Sequence, residues 1–231
     1  MTRLLHLGLI FLMCMTCSTP QKKPPEVSTP LRVLIIGDSI SIGYTQLVRA
    51  RLGDSAVVLR PMRSDGIKAE NCEGTTKGVA EIDRWLTING GKFDIIHFNF
   101  GLHDLKRISP VTGQSSDNPE HPPQVNLDKY IEQLELIIAR LQTTDSRLIF
   151  ATTTPVPIGK MRPHREPDDV VRYNVAAVKL MKAQGIEVND LYSFSLPRLT
   201  DLQRPSNVHF TRVGSKVLAA EVVKAIQKNK P

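Results

Sequence analysis

Cysteine is scarce in this chain, three residues in 231, and that scarcity removes whole classes of protein. Cys14 and Cys17 fall in an apolar amino-terminal segment, which leaves Cys72 as a lone thiol in the remainder. A disulfide framework, a zinc ribbon or a thioredoxin-like centre therefore has nothing to build on. Aromatic residues are few as well, 5%, and they do not interleave with the basic ones as a base-stacking surface would require. No run of five basic residues occurs, so the formal net charge of +7, from 30 Lys+Arg against 23 Asp+Glu, reads as a solvated surface and no nucleic-acid partner is expected. What is present, 41% hydrophobic and 23% charged residues, is the ordinary mixture of one soluble globular domain. A domain of this length buries its core without covalent or metal staples.

Arg3 precedes an apolar run from Leu4 to Met15, the layout of an export signal, and the run is too short to span a bilayer comfortably. Residues 1–17 are thus expected to be a signal peptide and Ser18 to Pro30, STPQKKPPEVSTP, a Pro-rich linker. Thr16-Cys17-Ser18 resembles the lipidation site of a bacterial lipoprotein, with Cys14 where that signal usually carries Leu. Lipid on Cys17 would tether the protein to a membrane; without it the protein would be periplasmic or extracellular. The remaining residues, 31–231, read as one domain.

From Leu31 onward short β-branched runs alternate with longer amphipathic segments, which predicts βαβ units around a parallel sheet. Strands are expected over Arg32–Ile36, Ala56–Arg60, Asp94–Phe100, Arg147–Thr152 and Ile186–Asn189, and helices over Ser41–Arg51, Thr76–Leu86, Leu127–Leu141, Asp168–Ala183 and Arg212–Gln227. In the last helix Thr211 is the expected cap, and Val213, Val217, Leu218, Val222, Ala225 and Ile226 are expected on one face. Two polar, Pro-containing loops, Lys106–Asn126 and Pro155–Pro167, each follow a strand and should overhang a site at the carboxyl ends of the sheet. Their Lys106, Arg107, Lys160, Arg162 and Arg165 would either form a cationic rim that steers anionic substrates or simply solvate the loops.

Val33-Leu34-Ile35-Ile36 runs into Gly37-Asp38-Ser39, which sets Ser39 at a helix amino terminus. Free N–H groups and the dipole there favour an alkoxide and the oxyanion it creates. A serine nucleophile needs a base, and His209 stands in the loop leading into the terminal helix. His97 and Asn99 share one face of the third strand, where a hydrogen-bonded core network is the simplest reading. His121, His164 and Asp168 lack ligand spacing, so no metal and no cofactor is expected.

This pattern resembles the SGNH or GDSL hydrolases, a superfamily of esterases and acylhydrolases, over essentially Leu31 to Lys228. The resemblance implies a three-layer α/β/α sandwich, flavodoxin-like, with a central parallel sheet of about five strands. It implies Ser39 as nucleophile and His209 as base. Oxyanion donors would come from Gly74, with Asn71 in reserve, and from His103, which stands in Gly101-Leu102-His103-Asp104 where the family carries asparagine. A neutral imidazole can donate as an amide does, at the cost of pH sensitivity. The family's orienting acid lies three residues before the histidine, a position held here by Ser206. Asp104, Asp201 or a backbone carbonyl remains to hold the ring. The expected protein is an exported, monomeric serine ester hydrolase acting on a small-molecule or polysaccharide ester, foremost a carbohydrate acetyl ester. A lysophospholipase or short-chain lipid esterase, and a catalytically weak glycan-binding module on the same fold, are the alternatives.

Overall fold

The computed structural model describes residues 29–159 and 161–228, so the expected signal peptide, Cys17 and the linker up to residue 28 lie outside the described residues. Five strands form one sheet: β1 (Leu31–Ile36), β2 (Ala56–Leu59), β3 (Ile95–Phe98), β4 (Arg147–Ala151) and β5 (Glu187–Asn189). Their order is β2-β1-β3-β4-β5, and every pairing is parallel, with Val33 opposite Val58 on one side and Ile95 on the other. Val33 to Ile36 have no exposed surface, because helices cover both faces of a parallel sheet and an apolar side chain is buried whichever way it points.

The helices are α1 (Ser39–Leu52), α2 (Thr75–Leu86), α3 (Leu127–Leu141), α4 (Pro167–Ala183), α5 (Leu191–Ser195), α6 (Leu199–Leu202) and α7 (Arg212–Gln227). α1 packs on α7 over one face; α2 packs on α3, and α3 on α4, over the other. The molecule is therefore the three-layer α/β/α sandwich that the alternating pattern predicts. Strand order reverses between β1 and β3, and in such sheets the crevice at the reversal is where ligands bind.

Two local expectations need correction. β3 stops at Phe98, short of the expected Phe100: Asn99 N–H closes the ladder to β1 at Ile36 O, and Asn99 meets β4 through its side-chain amide, which donates to Ala151 O at 2.7 Å. Val213 is exposed and not on the buried face of α7; nine residues from Val222, it lies about half a turn round the helix from that face. The two loops expected to overhang the site, after β3 and β4, are bonded to one another. Arg107 N–H donates to His164 O, and His164 N–H to Ser116 O, at 2.9 Å each, while Ser116 N–H donates to Arg107 O at 2.8 Å. The Arg107 guanidinium meets Asp169 of α4 at 2.9 Å, both side chains being buried.

Candidate functional site

β1 delivers the chain to Gly37-Asp38, where Asp38 caps α1 by accepting the Ile40 N–H at 2.8 Å. Ser39 is thus the first residue of the helix and half-buried, while Asp38 before it is buried. Burial pushes the Asp38 carboxyl up to about 6, against the Ile40 hydrogen bond and the nearby charges of Arg165 and Arg60. Arg60, buried at the end of β2, donates to Thr45 Oγ1 at 2.9 Å and to Glu70 O at 2.9 Å, and reaches Gly37 O at 3.3 Å. It holds the turn before Ser39 from below.

His209 arrives from the opposite end of the chain in a loop closed on itself. Arg204 N–H donates to His209 O, Asn207 N–H to Arg204 O, and Thr211 N–H to Leu202 O. Gln203 Nε2 ties Pro155 O to Val208 O at 2.9 Å each. This frame sets His209 Nε2 at 2.9 Å from Ser39 Oγ. On the other side of the ring, Asn207 Oδ1 lies 2.7 Å from Nδ1 and 2.9 Å from the His209 main-chain nitrogen.

The tautomer follows from these contacts. A main-chain N–H can only donate, so the Asn207 atom that faces it is the amide oxygen. That same oxygen must accept from Nδ1–H. Nε2 is then bare and accepts the Ser39 hydroxyl proton, which is the state a general base needs. Burial, with the charges of Arg204 and Arg165 added, holds the ring below the ordinary histidine value, so it is neutral near pH 7.

The group that orients the ring is therefore Asn207, and neither of the acids expected from the sequence is at that position. Asp104 is buried on the far side, where its Oδ1 accepts the Thr75 N–H at 2.9 Å and meets Thr75 Oγ1 at 2.6 Å. It fastens the start of α2, and burial raises it to about 6. Asp201 is exposed on α6. Asn207 carries no carboxylate and so matches no triad pattern in the sequence. The available signal was Asn-x-His, since asparagine accepts the N–H two residues on and forms a local turn.

Gly74 caps α2 at the carboxyl side of β2, in a loop joined to the Ser39 turn by Cys72 N–H donating to Gly37 O. A β-carbon at Gly74 would lie 2.7 Å from Asp104 Oδ1, so the close approach of these two loops admits only glycine. Asn71 is turned to a structural task, its Oδ1 accepting the Glu73 N–H at 3.0 Å. His103 is half-buried, its Nδ1 buried without a partner. Burial, with the fields of Arg165, Lys106 and His209, lowers its pKa to about 3. The expected pH sensitivity of this residue is therefore absent from the neutral range, because the ring refuses a proton there.

The expected cationic rim loses two of its five residues to the interior. Arg107 is buried on Asp169, and Arg165 is buried with Nε donating to Leu102 O at 2.7 Å. Arg162 pairs with Asp117 at 3.1 Å, and Lys160 lies outside the described residues. A cavity of about 490 Å³ opens instead on the α1–α7 side, and both Ser39 and His209 line it. Among the described residues no group of three or more His, Cys, Asp or Glu could hold a metal ion, and no helix is long and apolar enough to cross a membrane.

A neutral imidazole accepting from a serine at a helix amino terminus can generate an alkoxide and carry its proton. The family model of the GDSL-like lipase/acylhydrolases matches residues 35–217. The fold is shared with a lipase/acylhydrolase from Enterococcus faecalis at 19% identity and a TM-score of 0.66, covering 85% of this chain and 95% of that one. It is shared with an acetyl xylan esterase from Geobacillus stearothermophilus at 16% identity and a TM-score of 0.64, covering 87% and 96%. A GDSL-like lipase from Bacteroides thetaiotaomicron, at 13% identity and a TM-score of 0.62, covers 88% of this chain and is covered to 93%. No curated protein matches the chain.

Proposed function

The chain belongs to the GDSL-like lipase/acylhydrolase family, and from that premise we propose that it is a serine ester hydrolase acting on carbohydrate acetyl esters. The observation that carries the reading is the relay from Ser39 Oγ to His209 Nε2 at 2.9 Å and from His209 Nδ1 to Asn207 Oδ1 at 2.7 Å. Ser39 Oγ attacks the ester carbonyl while Nε2 takes its proton. The tetrahedral oxyanion is held by N–H groups of Ser39, Gly74 and His103. Collapse breaks the bond to the alcohol, which leaves with the proton from Nε2, and the acyl group remains on Ser39. Water, deprotonated by the same nitrogen, repeats the attack and releases the acid.

The carbohydrate acetyl assignment draws support from two acetyl xylan esterases among the proteins that share this fold. Export and tethering through Cys17 belong to the same reading, supported by the apolar run from Leu4 to Met15. The test is hydrolysis of 4-nitrophenyl acetate and of acetylated xylan by wild type and Ser39→Ala, with fluorophosphonate labelling of both. Turnover and labelling that vanish together in Ser39→Ala are the expected result. Equal slow rates and no label in wild type would replace the esterase with a glycan-binding module.

A further inference from the structure

The cavity beside Ser39 has a polarity that the hydrolytic step does not use. Its apolar floor comes from Ile40, Ile42, Leu47 and Phe210, and its charged groups are Arg204 and Arg212, with no carboxylate in the lining. Both arginines are exposed. Among the described residues neither guanidinium meets a carboxylate or a hydrogen-bond acceptor. Arginines elsewhere near the site are consumed, Arg60 by main-chain carbonyls and Thr45, Arg165 by Leu102 O, and Arg107 by Asp169. Two open guanidinium forks that line the same cavity as the nucleophile can each pair with a carboxylate or sulfate.

The side of the scissile bond is fixed by which catalytic groups line the cavity. His209, the group that returns a proton to the departing oxygen, lines it, whereas Gly74 and His103, on the oxyanion side, do not. The cavity therefore faces the alcohol. Resting on the serine-esterase reading, we infer that Arg204 and Arg212 select esters whose alcohol carries an anionic group, a carboxylate or sulfate that the cavity brings to the two guanidinium groups, as on an acidic sugar.

The matched probes are 4-acetoxybenzoate and its neutral methyl ester, each releasing a phenol and acetate. The readout is the ratio of kcat/KM for the acid over the methyl ester, which cancels any disturbance of His209 common to both. Wild type should favour the acid by about tenfold at low ionic strength, a scale set by charge-assisted hydrogen bonds to an anion. Arg204→Ala/Arg212→Ala should bring the ratio down by about the same factor, Arg212→Glu should invert it, and high salt should compress it. A ratio identical in wild type and the double variant overturns the inference, with the esterase reading intact as long as Ser39→Ala is inactive on both probes. Hydrolysis of both probes that survives in Ser39→Ala removes the serine mechanism itself and this inference with it.

Discussion

Asn207 holds His209 with a neutral amide oxygen, which fixes the ring but would do nothing to balance the imidazolium that the proposed proton transfer from Ser39 forms. A carboxylate at that point does both, and its charge favours the protonated ring. Asn207→Asp should therefore raise the pKa of His209 and move the acid limb of the kcat/KM profile up by about one pH unit or more. In wild type that limb should lie below the ordinary value of 6.5, because burial and the fields of Arg204 and Arg165 depress the ring. Asn207→Ala should cost on the order of 10²-fold in kcat, by loss of the tautomer. A pH profile of Asn207→Asp that superimposes on wild type would show that another group sets the ring. His103 makes a separate prediction. Held neutral down to about 3, it should donate equally well across the neutral range, so His103→Ala should lose about 10²-fold in kcat by the same factor at every pH tested. His103→Asn, an amide donor of the family's kind, should recover most of it.

At the scale of elements, the helix α7 is anchored by an approach that only one residue permits. A β-carbon on Gly214 would lie 2.1 Å from Leu202 O, the carbonyl that also accepts from Thr211 N–H and, at 3.1 Å, from its hydroxyl. Gly214→Ala should drive the first turn of α7 off α6, destabilising the fold by about 2 kcal/mol and loosening the loop that carries His209. A lowered thermal midpoint together with reduced kcat is the expected pair of readings; an unchanged midpoint would refute it. Periodicity made α3 and α7 legible to the residue and the other long helices nearly so, since each has an apolar stripe and a cap that act locally. The short α5 and α6 were not legible, because five and four residues carry no periodic signal and are held by tertiary contact. Ser39 and His209 were visible as motifs at the ends of elements. The ring's partner was not, since which side chain reaches Nδ1 depends on how the 204–209 loop folds back. The inward turn of Arg107 and Arg165 was equally hidden, for a basic residue in a polar loop reads as solvated until its buried partner is known.

The whole molecule carries opposed titrations. Below 6.5 the unfolded chain binds protons at His97 and His103 that the fold refuses until about 4 and about 3, so stability falls as pH drops. From about 6 downward the fold accepts protons at Asp38 and Asp104 that the unfolded chain binds only near 3.8, so stability rises as pH drops. His209, also held below its ordinary value, joins the first set, so between about pH 6 and 5 three groups act against two and urea midpoints there should fall only gently toward acid. Asp104→Asn removes one opposing group and should tilt that window by on the order of 1 kcal/mol per pH unit toward acid instability. A wild-type curve already as steep as that of the variant would count against the balance. The stitched loops after β3 and β4 have a consequence for anyone re-engineering the rim. Residues 107 to 116 and residue 164 share three main-chain hydrogen bonds, and Arg107 locks the first loop to α4 through Asp169, so the two form a single cassette. A graft that exchanges one loop alone strands a buried charge and breaks the seam, whereas transplanting residues 106–126 together with 155–169 moves a unit that brings its own internal partners.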